Sequence, residues 1–404
     1  MKRGHYAWAI CIASLLLFVC NMGLCSNILT IYLPFIEERG VSDSMGSAIL
    51  SVRCAFSFLT TFFVGIYYEK FSLRRGIFFA SAVGVLFPLV FCAAVNAPVL
   101  YYAGAALAGI AYGAGCIYPV SLLIGNWFHA RRGFALGLSA AGSAVATMGF
   151  APLLSSVVVR HSLTTAFVLQ SGIMALSAVI VLLVVRDAPE NMGLLPYGET
   201  EKVKTQTASH VSFRPNPTAM GMLALMMLLI GGAGLAFSGH MAVLMRTEGY
   251  STELAASMVS LFGFVLVCSK LLTGAIADRI GSKRCSILLF FIFILGCFLV
   301  LGMDGTSVFW CAALAVLLGL GASLFNVGPP LWAADLSSKD HYPKTLKHLQ
   351  IFYNLGGILF TVVPGLIADR TDEYRSSYLL FAGMMLLAML ILLWAYAQRK
   401  DDKR

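Results

Sequence analysis

The sequence predicts an all-α membrane protein of twelve transmembrane helices in two pseudo-symmetric six-helix bundles, with both termini cytoplasmic. Three observations carry that prediction: the composition is too apolar for a soluble surface, the uncharged stretches have membrane-spanning length, and one loop motif recurs in both halves. Of 404 residues, 59% are hydrophobic and 12% charged, and the mean hydropathy is +0.84. Soluble domains are about 25% charged. This chain therefore cannot cover a globule with polar groups, which excludes a soluble enzyme, a nucleic-acid module and a disulfide scaffold. The net charge of +9 reads as membrane topology, because Lys and Arg collect in cytoplasmic loops.

Segments 4–36, 76–130, 161–185, 215–245 and 305–334 contain no Asp, Glu, Lys or Arg. Each can cross a hydrocarbon core of ~30 Å at least once. Splitting the apolar runs at charged or turn-rich points predicts helices over 7–33, 45–68, 76–95, 98–126, 133–159, 164–185, 218–245, 254–277, 284–303, 306–334, 346–368 and 376–397. Lys2 and Arg3 before an apolar run mimic a signal peptide, but that run continues to Ile36, which is too long for a cleaved segment. The polar stretch 186–217, with Pro189, Pro196, Pro215 and Pro217, divides the helices six and six. It reads as a cytoplasmic linker between bundles 1–185 and 218–404.

Charge placement tests the count. With both termini inside, 21 of the 28 Lys and Arg fall in cytoplasmic segments, five fall outside and two lie within helices. The acidic residues divide ten and nine, as expected where Lys and Arg alone set orientation. The ten cysteines sit mostly in apolar runs without metal-ligand spacing, so they read as small apolar fillers.

The recurring motif follows helices 2 and 8. The first copy is Gly65-Ile-Tyr-Tyr-Glu69-Lys70-Phe-Ser-Leu-Arg74-Arg75. The second, 209 residues later, is Gly274-Ala-Ile-Ala-Asp278-Arg279-Ile-Gly281-Ser-Lys283-Arg284. Pro152 in helix 5 and Pro364 in helix 11 are likewise 212 residues apart. The second copy resembles the loop signature of the major facilitator superfamily, Gly-x-x-x-Asp-Arg-x-Gly-x-Lys-Arg, and the first is a degraded version of it. The stretch Trp127-Phe128-His129-Ala130-Arg131-Arg132-Gly133, with Ala141-Gly142-Ser143-Ala144, is similar to bacterial monocarboxylate porters and oxalate:formate antiporters. So are Pro330-Leu-Trp-Ala-Ala-Asp335, Phe352-Tyr353-Asn354-Leu355-Gly356-Gly357 and the linker start Arg186-Asp187-Ala188-Pro189.

The resemblance implies a secondary transporter working by alternating access. It also implies a cytoplasmic gate that includes Gly65, Glu69, Arg74, Gly274, Asp278, Arg279, Lys283, Arg131 and Arg132. A loop acid aimed at a neighbouring helix N-terminus would be favoured there by the helix dipole.

Candidate ligand-binding groups are those that cost something to keep in a membrane. Arg53 and Lys270 are the only Asp, Glu, Lys or Arg residues inside the predicted helices and away from their ends. No carboxylate accompanies them, so an anionic substrate would supply the missing charge. Lys270, four residues before Gly274, stands where the monocarboxylate group commonly carries a substrate-pairing Arg. Lysine is a point charge whose pKa burial can lower, so it can also carry a coupling proton; the alternative is snorkelling to the near surface. His240, on helix 7, titrates near neutrality and suits proton coupling, or simply bonds a neighbouring helix. Arg53 either faces the cavity mouth or pairs with Glu37, Glu38 or Asp43. Uncharged candidates are Asn21, Asn27, Tyr112, Tyr118, Asn326, Tyr353 and Asn354, although most polar groups in bundles only bond neighbouring helices. Asn354, where dicarboxylate handling in the group tends to use a basic residue, favours a substrate with one carboxylate.

The expectation is therefore a gradient-driven transporter of a small organic anion, moved with protons or against a counter-anion. Glycines in helices 4 and 5 and Pro119, Pro152, Pro329, Pro330 and Pro364 suit close packing and bends. No phosphate-binding loop or His-x-x-x-His pair occurs, so no enzyme activity, cofactor or metal is expected. The expected location is the cytoplasmic membrane, as a multi-pass monomer in the lipid bilayer. The rivals are a drug or metabolite efflux transporter of the same superfamily and a non-transporting carboxylate receptor.

Overall fold

The computed structural model describes residues 5–39, 41, 43–199, 217–338, 340–371 and 373–401. Among these, twelve helices are long and apolar enough to cross a membrane. They are α1 (Tyr6–Asn27), α2 (Ala48–Lys70), α3 (Leu73–Ala94), α4 (Leu100–Trp127), α5 (Arg132–Arg160), α6 (Leu163–Val184), α7 (Pro217–Thr247), α8 (Glu253–Ile280), α9 (Ser282–Gly302), α10 (Val308–Asp335), α11 (Tyr342–Thr371) and α12 (Arg375–Gln398). The order and number match the sequence prediction. The chain divides into two compact units, Met1–Ser209 and His210–Arg404.

In the N-terminal unit, Phe87, Phe91, Tyr101 and Phe167 form edge-to-face ring contacts in the core between α3, α4 and α6. A polar pair is closed within it: Tyr32 Oη donates to Gln170 Oε1 at 2.7 Å, and Gln170 Nε2 donates to the Leu24 carbonyl at 3.1 Å. Satisfying each other is what makes two fully buried polar side chains tolerable in an apolar medium. On the outside, Phe62, Phe63 and Leu176 are each more than half exposed, as suits a surface solvated by hydrocarbon.

Two helices of this unit change winding. Phe18–Asn27 of α1 and Ala146–Phe150 of α5 are π-helical, and the two segments pack on each other. Pro152, which lacks an N–H, stands two residues after the second, and the wider winding before it accommodates the missing bond. Composition carried no signal for either.

Part of the predicted linker belongs to this unit. Tyr197 forms a parallel bridge with Phe128; its N–H donates to the Trp127 carbonyl at 2.8 Å, and its carbonyl accepts from His129 and Ala130 at 3.0 Å. Trp8 packs on Phe128, Phe134 and Tyr197. Residues 186–199 are thereby fastened to the turn after α4, while 200–216 lie outside the described residues.

In the C-terminal unit, Phe237, Phe293 and Phe325 form the aromatic core, and Trp332 Nε1 donates to Ser286 Oγ at 2.8 Å. Helices α7 and α11 meet backbone to backbone. A Cβ on Gly231 would lie 1.9 Å from the Tyr353 carbonyl oxygen, and one on Gly356 would lie 1.9 Å from that of Leu228. Only glycine admits that approach from both sides. Helix α11 is interrupted at Thr361–Val362, just before Pro364, the counterpart of the break before Pro152.

Candidate functional site

Lys270 lies on α8 and is 2% exposed. Its neighbours on the same helix fasten α8 to α10: Ser269 Oγ donates to the Leu320 carbonyl at 2.7 Å, and Thr273 Oγ1 lies 2.7 Å from Ser323 Oγ. The lysine is thus buried beside a hydrogen-bonded crossing, whereas a snorkelling side chain would reach the near surface. One turn beyond Ser323, the Asn326 side-chain oxygen is buried with no hydrogen-bond partner among the described residues. A buried amide oxygen left without a donor costs about 1–3 kcal/mol, so Asn326 is suited to receive a donor from a ligand or water. On α11, Tyr353 is buried and Asn354 half-buried, Tyr353 in the glycine-mediated seam with α7.

His240 is not beside Lys270. Its Nδ1 lies 2.8 Å from the Ala236 carbonyl, which can only accept, so the ring donates there and keeps Nε2 for another partner. It stacks on Tyr374 at 5.9 Å, in the turn before α12. Counting from the α7–α8 turn at 1.5 Å per residue, the two residues differ by roughly 15 Å in depth. A small carboxylate held by one does not reach the other.

In the N-terminal unit, Arg53 on α2 donates from Nη1 to Ser26 Oγ at 2.8 Å, beside the π segment of α1. Its Nε is buried without a hydrogen-bond partner among the described residues. The side chains of Glu37 and Asp43 lie outside the described residues, and Glu38 is exposed. Asn27 donates to Thr147 Oγ1 at 3.0 Å and to the Ser143 carbonyl at 3.4 Å, binding α1 to α5 between their π segments. Asn21 donates to the Gly115 carbonyl at 2.9 Å, while its own side-chain oxygen has no hydrogen-bond partner among the described residues. Tyr112 is half-buried; Tyr118 is buried with its ring 5.9 Å from Tyr68, next to the break of α4 at Cys116.

The two loop motifs are built differently. In the C-terminal copy Gly281 adopts φ +85° and ψ +151° as it joins α8 to α9, a conformation essentially confined to glycine that costs other residues about 1–3 kcal/mol. Lys283 Nζ sits 5.8 Å above the Tyr396 ring, whose hydroxyl donates to Asp335 Oδ2 at 2.7 Å. In the N-terminal copy Ser72 replaces the glycine, stays at φ −59° and caps α3 by accepting from the Arg75 N–H at 3.4 Å. There the Arg74 N–H donates to Asp187 Oδ1 at 2.6 Å, and Arg74 Nε donates to the Leu182 carbonyl at 3.0 Å. Gly65 and Gly274 are buried, while Glu69, Asp278 and Arg279 are exposed. Arg131, also exposed, holds φ +56°, and its carbonyl accepts from Ala135 at the start of α5; Arg132 beside it is half-buried. The sequence reading missed the Lys283–Tyr396–Asp335 contact, because Tyr396 lies 113 residues beyond Lys283 and no local pattern marks it.

The model of the Major Facilitator Superfamily matches residues 14–301 and 253–404. An oxalate:formate antiporter of Oxalobacter formigenes is 30% identical over 153 residues, 36% of either chain. Monocarboxylate transporter 12 of Mus musculus is 20% identical, covering 96% of this chain and 85% of that one. The E. coli fucose:proton symporter superposes with a TM-score of 0.68 at 16% identity over 96% of this chain and 98% of that one. A proton:xylose symporter gives 0.76 at 12% identity over 97% and 96%. Twelve apolar helices, a repeated loop signature and a family match across most of the sequence converge: the chain belongs to the major facilitator superfamily of membrane transporters.

Proposed function

We propose that this chain moves a small organic anion, a monocarboxylate, across the cytoplasmic membrane by alternating access, driven by proton symport or anion exchange. The observation that carries this reading is Lys270, a cationic side chain 2% exposed within a membrane-spanning helix. A charge at that depth costs at least ~2.5–3.5 kcal/mol on insertion scales and is retained where it does work. A carboxylate entering near Lys270 meets a positive charge and, one turn past the α8–α10 crossing, the polar Asn326. His240, at a different depth, suits proton transfer rather than direct contact with the same carboxylate. The similarity to proteins named as oxalate:formate antiporter and monocarboxylate transporters agrees with the substrate class.

The test is uptake of labelled lactate, pyruvate, formate and oxalate into proteoliposomes, with and without an inward proton gradient. Lys270→Gln is expected to reduce uptake about 100-fold, the scale of losing a buried charge partner, with its elution profile unchanged. His240→Gln is expected to remove gradient dependence while leaving counterflow. If none of the acids moves and Lys270→Gln folds normally, the carboxylate reading is wrong.

A further inference from the structure

A cavity of about 640 Å³ opens in the N-terminal unit where the turn between α2 and α3 meets the end of α6. Its lining includes Ser72, Arg74, Arg75, Leu182, Arg186 and Asp187. Three guanidinium groups therefore face one carboxylate. That carboxylate is already engaged by the Arg74 N–H, and Arg74 itself is tied to the Leu182 carbonyl. Arg186 donates from Nη1 to the carbonyls of Leu183 and Val185 at 3.0 and 2.9 Å, at the end of α6. Arg75 contributes to the wall from the first turn of α3, whose dipole is positive at that end. Among the described residues no carboxylate lies within ion-pair distance of Arg75 or Arg186. The pocket thus carries an excess of two positive charges, which attracts a phosphate group.

We propose that this pocket binds the phosphate of an anionic phospholipid. The choice of a lipid over a free anion rests on what flanks the basic wall. Phe71, Phe79 and Leu183 are 39%, 49% and 64% exposed on the same elements, and the rings of Phe71 and Phe79 touch at 5.7 Å. Phe79 stands one helical turn after Arg75 and Leu183 three residues before Arg186, so acyl chains would meet apolar side chains on the elements that carry the basic wall. The excess of Lys and Arg predicts that this end faces the cytoplasm, the leaflet that carries anionic lipids. A bound headgroup would bridge Arg75 of the α2–α3 turn to Arg186 after α6, adding a tie next to the Arg74–Asp187 contact. None of this depends on the transported substrate.

The experiment uses the purified full-length chain in detergent, supplied with equimolar phosphatidylglycerol and phosphatidylcholine of identical acyl chains, with retained lipid counted by native mass spectrometry. A second arm compares the melting shift given by phosphatidylglycerol with that given by inorganic phosphate. The parent is expected to retain phosphatidylglycerol about tenfold over phosphatidylcholine, the scale of two surface-level arginines. The double variant Arg75→Gln, Arg186→Gln is expected to fall to near parity, while Arg75→Lys with Arg186→Lys and the distant Arg160→Gln keep most of the preference. If the double glutamine variant elutes aggregated, Arg75→Gln alone is read in its place, with a partial loss expected. An undiminished preference in the glutamine variant overturns the proposal. So does a melting shift from inorganic phosphate equal to that from phosphatidylglycerol, which would make this a site for free anions.

Discussion

At the register four residues before the motif glycine, the N-terminal unit carries Thr61 and the C-terminal unit carries Lys270; twelve residues before it, they carry Arg53 and Phe262. Thr61 is buried and donates to the Ser57 carbonyl on its own helix. Phe262 packs on Phe237 at 5.6 Å, where Arg53 in the other unit reaches Ser26. The repeat thus preserves helices and turns while exchanging charge for apolar or neutral groups at matched positions. Each unit keeps one cation within the helix before its motif, half-buried Arg53 in one and buried Lys270 in the other, twelve and four residues before the motif glycine. Fold and chemistry are written at separate positions, so one can drift while the other persists.

The sharpest way to break the comparison is at the seams. Gly231→Ala is expected to destabilise the C-terminal unit by about 3 kcal/mol, since the new methyl meets a backbone carbonyl that cannot move aside. Gly149→Ala, in the π segment of α5 with nothing within 4 Å, is expected to stay within about 0.5 kcal/mol. Melting in detergent, followed by size-exclusion fluorescence, reads both.

The functional asymmetry has its own test. Lys270→Thr makes the C-terminal unit resemble the other at this register, and uptake is expected to fall about 100-fold. Thr61→Val removes a hydroxyl that donates to the Ser57 carbonyl of its own helix, and transport is expected to change less than about twofold.

The motif turns differ by a smaller amount. Gly281→Ala must hold a methyl-bearing residue at φ +85°, ψ +151° and is expected to cost about 2 kcal/mol. Ser72→Ala loses a long N-cap bond and is expected to cost about 0.5 kcal/mol. Urea or thermal titrations of the two variants side by side would measure the difference, and equal losses would show that the two turns bear the same strain.

The smallest effect concerns acid. In the α9–α10 turn the Asp304 carboxylate accepts from the Ser307 and Thr306 N–H groups, which lower its pKa to about 2. A carboxyl held lower in the folded state than unfolded stabilises fully above the ordinary value of about 4 and loses that contribution as pH falls toward 2. The corresponding turn of the N-terminal unit, 95–99, contains no carboxylate. Asp304→Asn is therefore expected to flatten the acid limb of the melting profile slightly, below about pH 4 only.

Much of this molecule was legible from residue order alone. Helix number, the six-plus-six division and the repeat follow from local properties: a span needs about 20 apolar residues, and a loop motif is read along the chain. Lys270 and Arg53 stood out for the same reason, as charges inside apolar runs. What the tertiary structure decided depends on which faces of distant helices meet. The π segments of α1 and α5 arise where the helices pack, with Gly23 against Ala146, a contact spanning more than a hundred residues. The attachment of 186–199 to the α4–α5 turn rests on backbone bonds to Tyr197, invisible in a stretch that reads as polar linker. The burial of Lys270 and its separation in depth from His240 come from the crossing of α8 with α10 and from helix rise, not from the identity of either residue. Apolarity decides that a segment enters the membrane, whereas azimuth and neighbours decide what each side chain touches there.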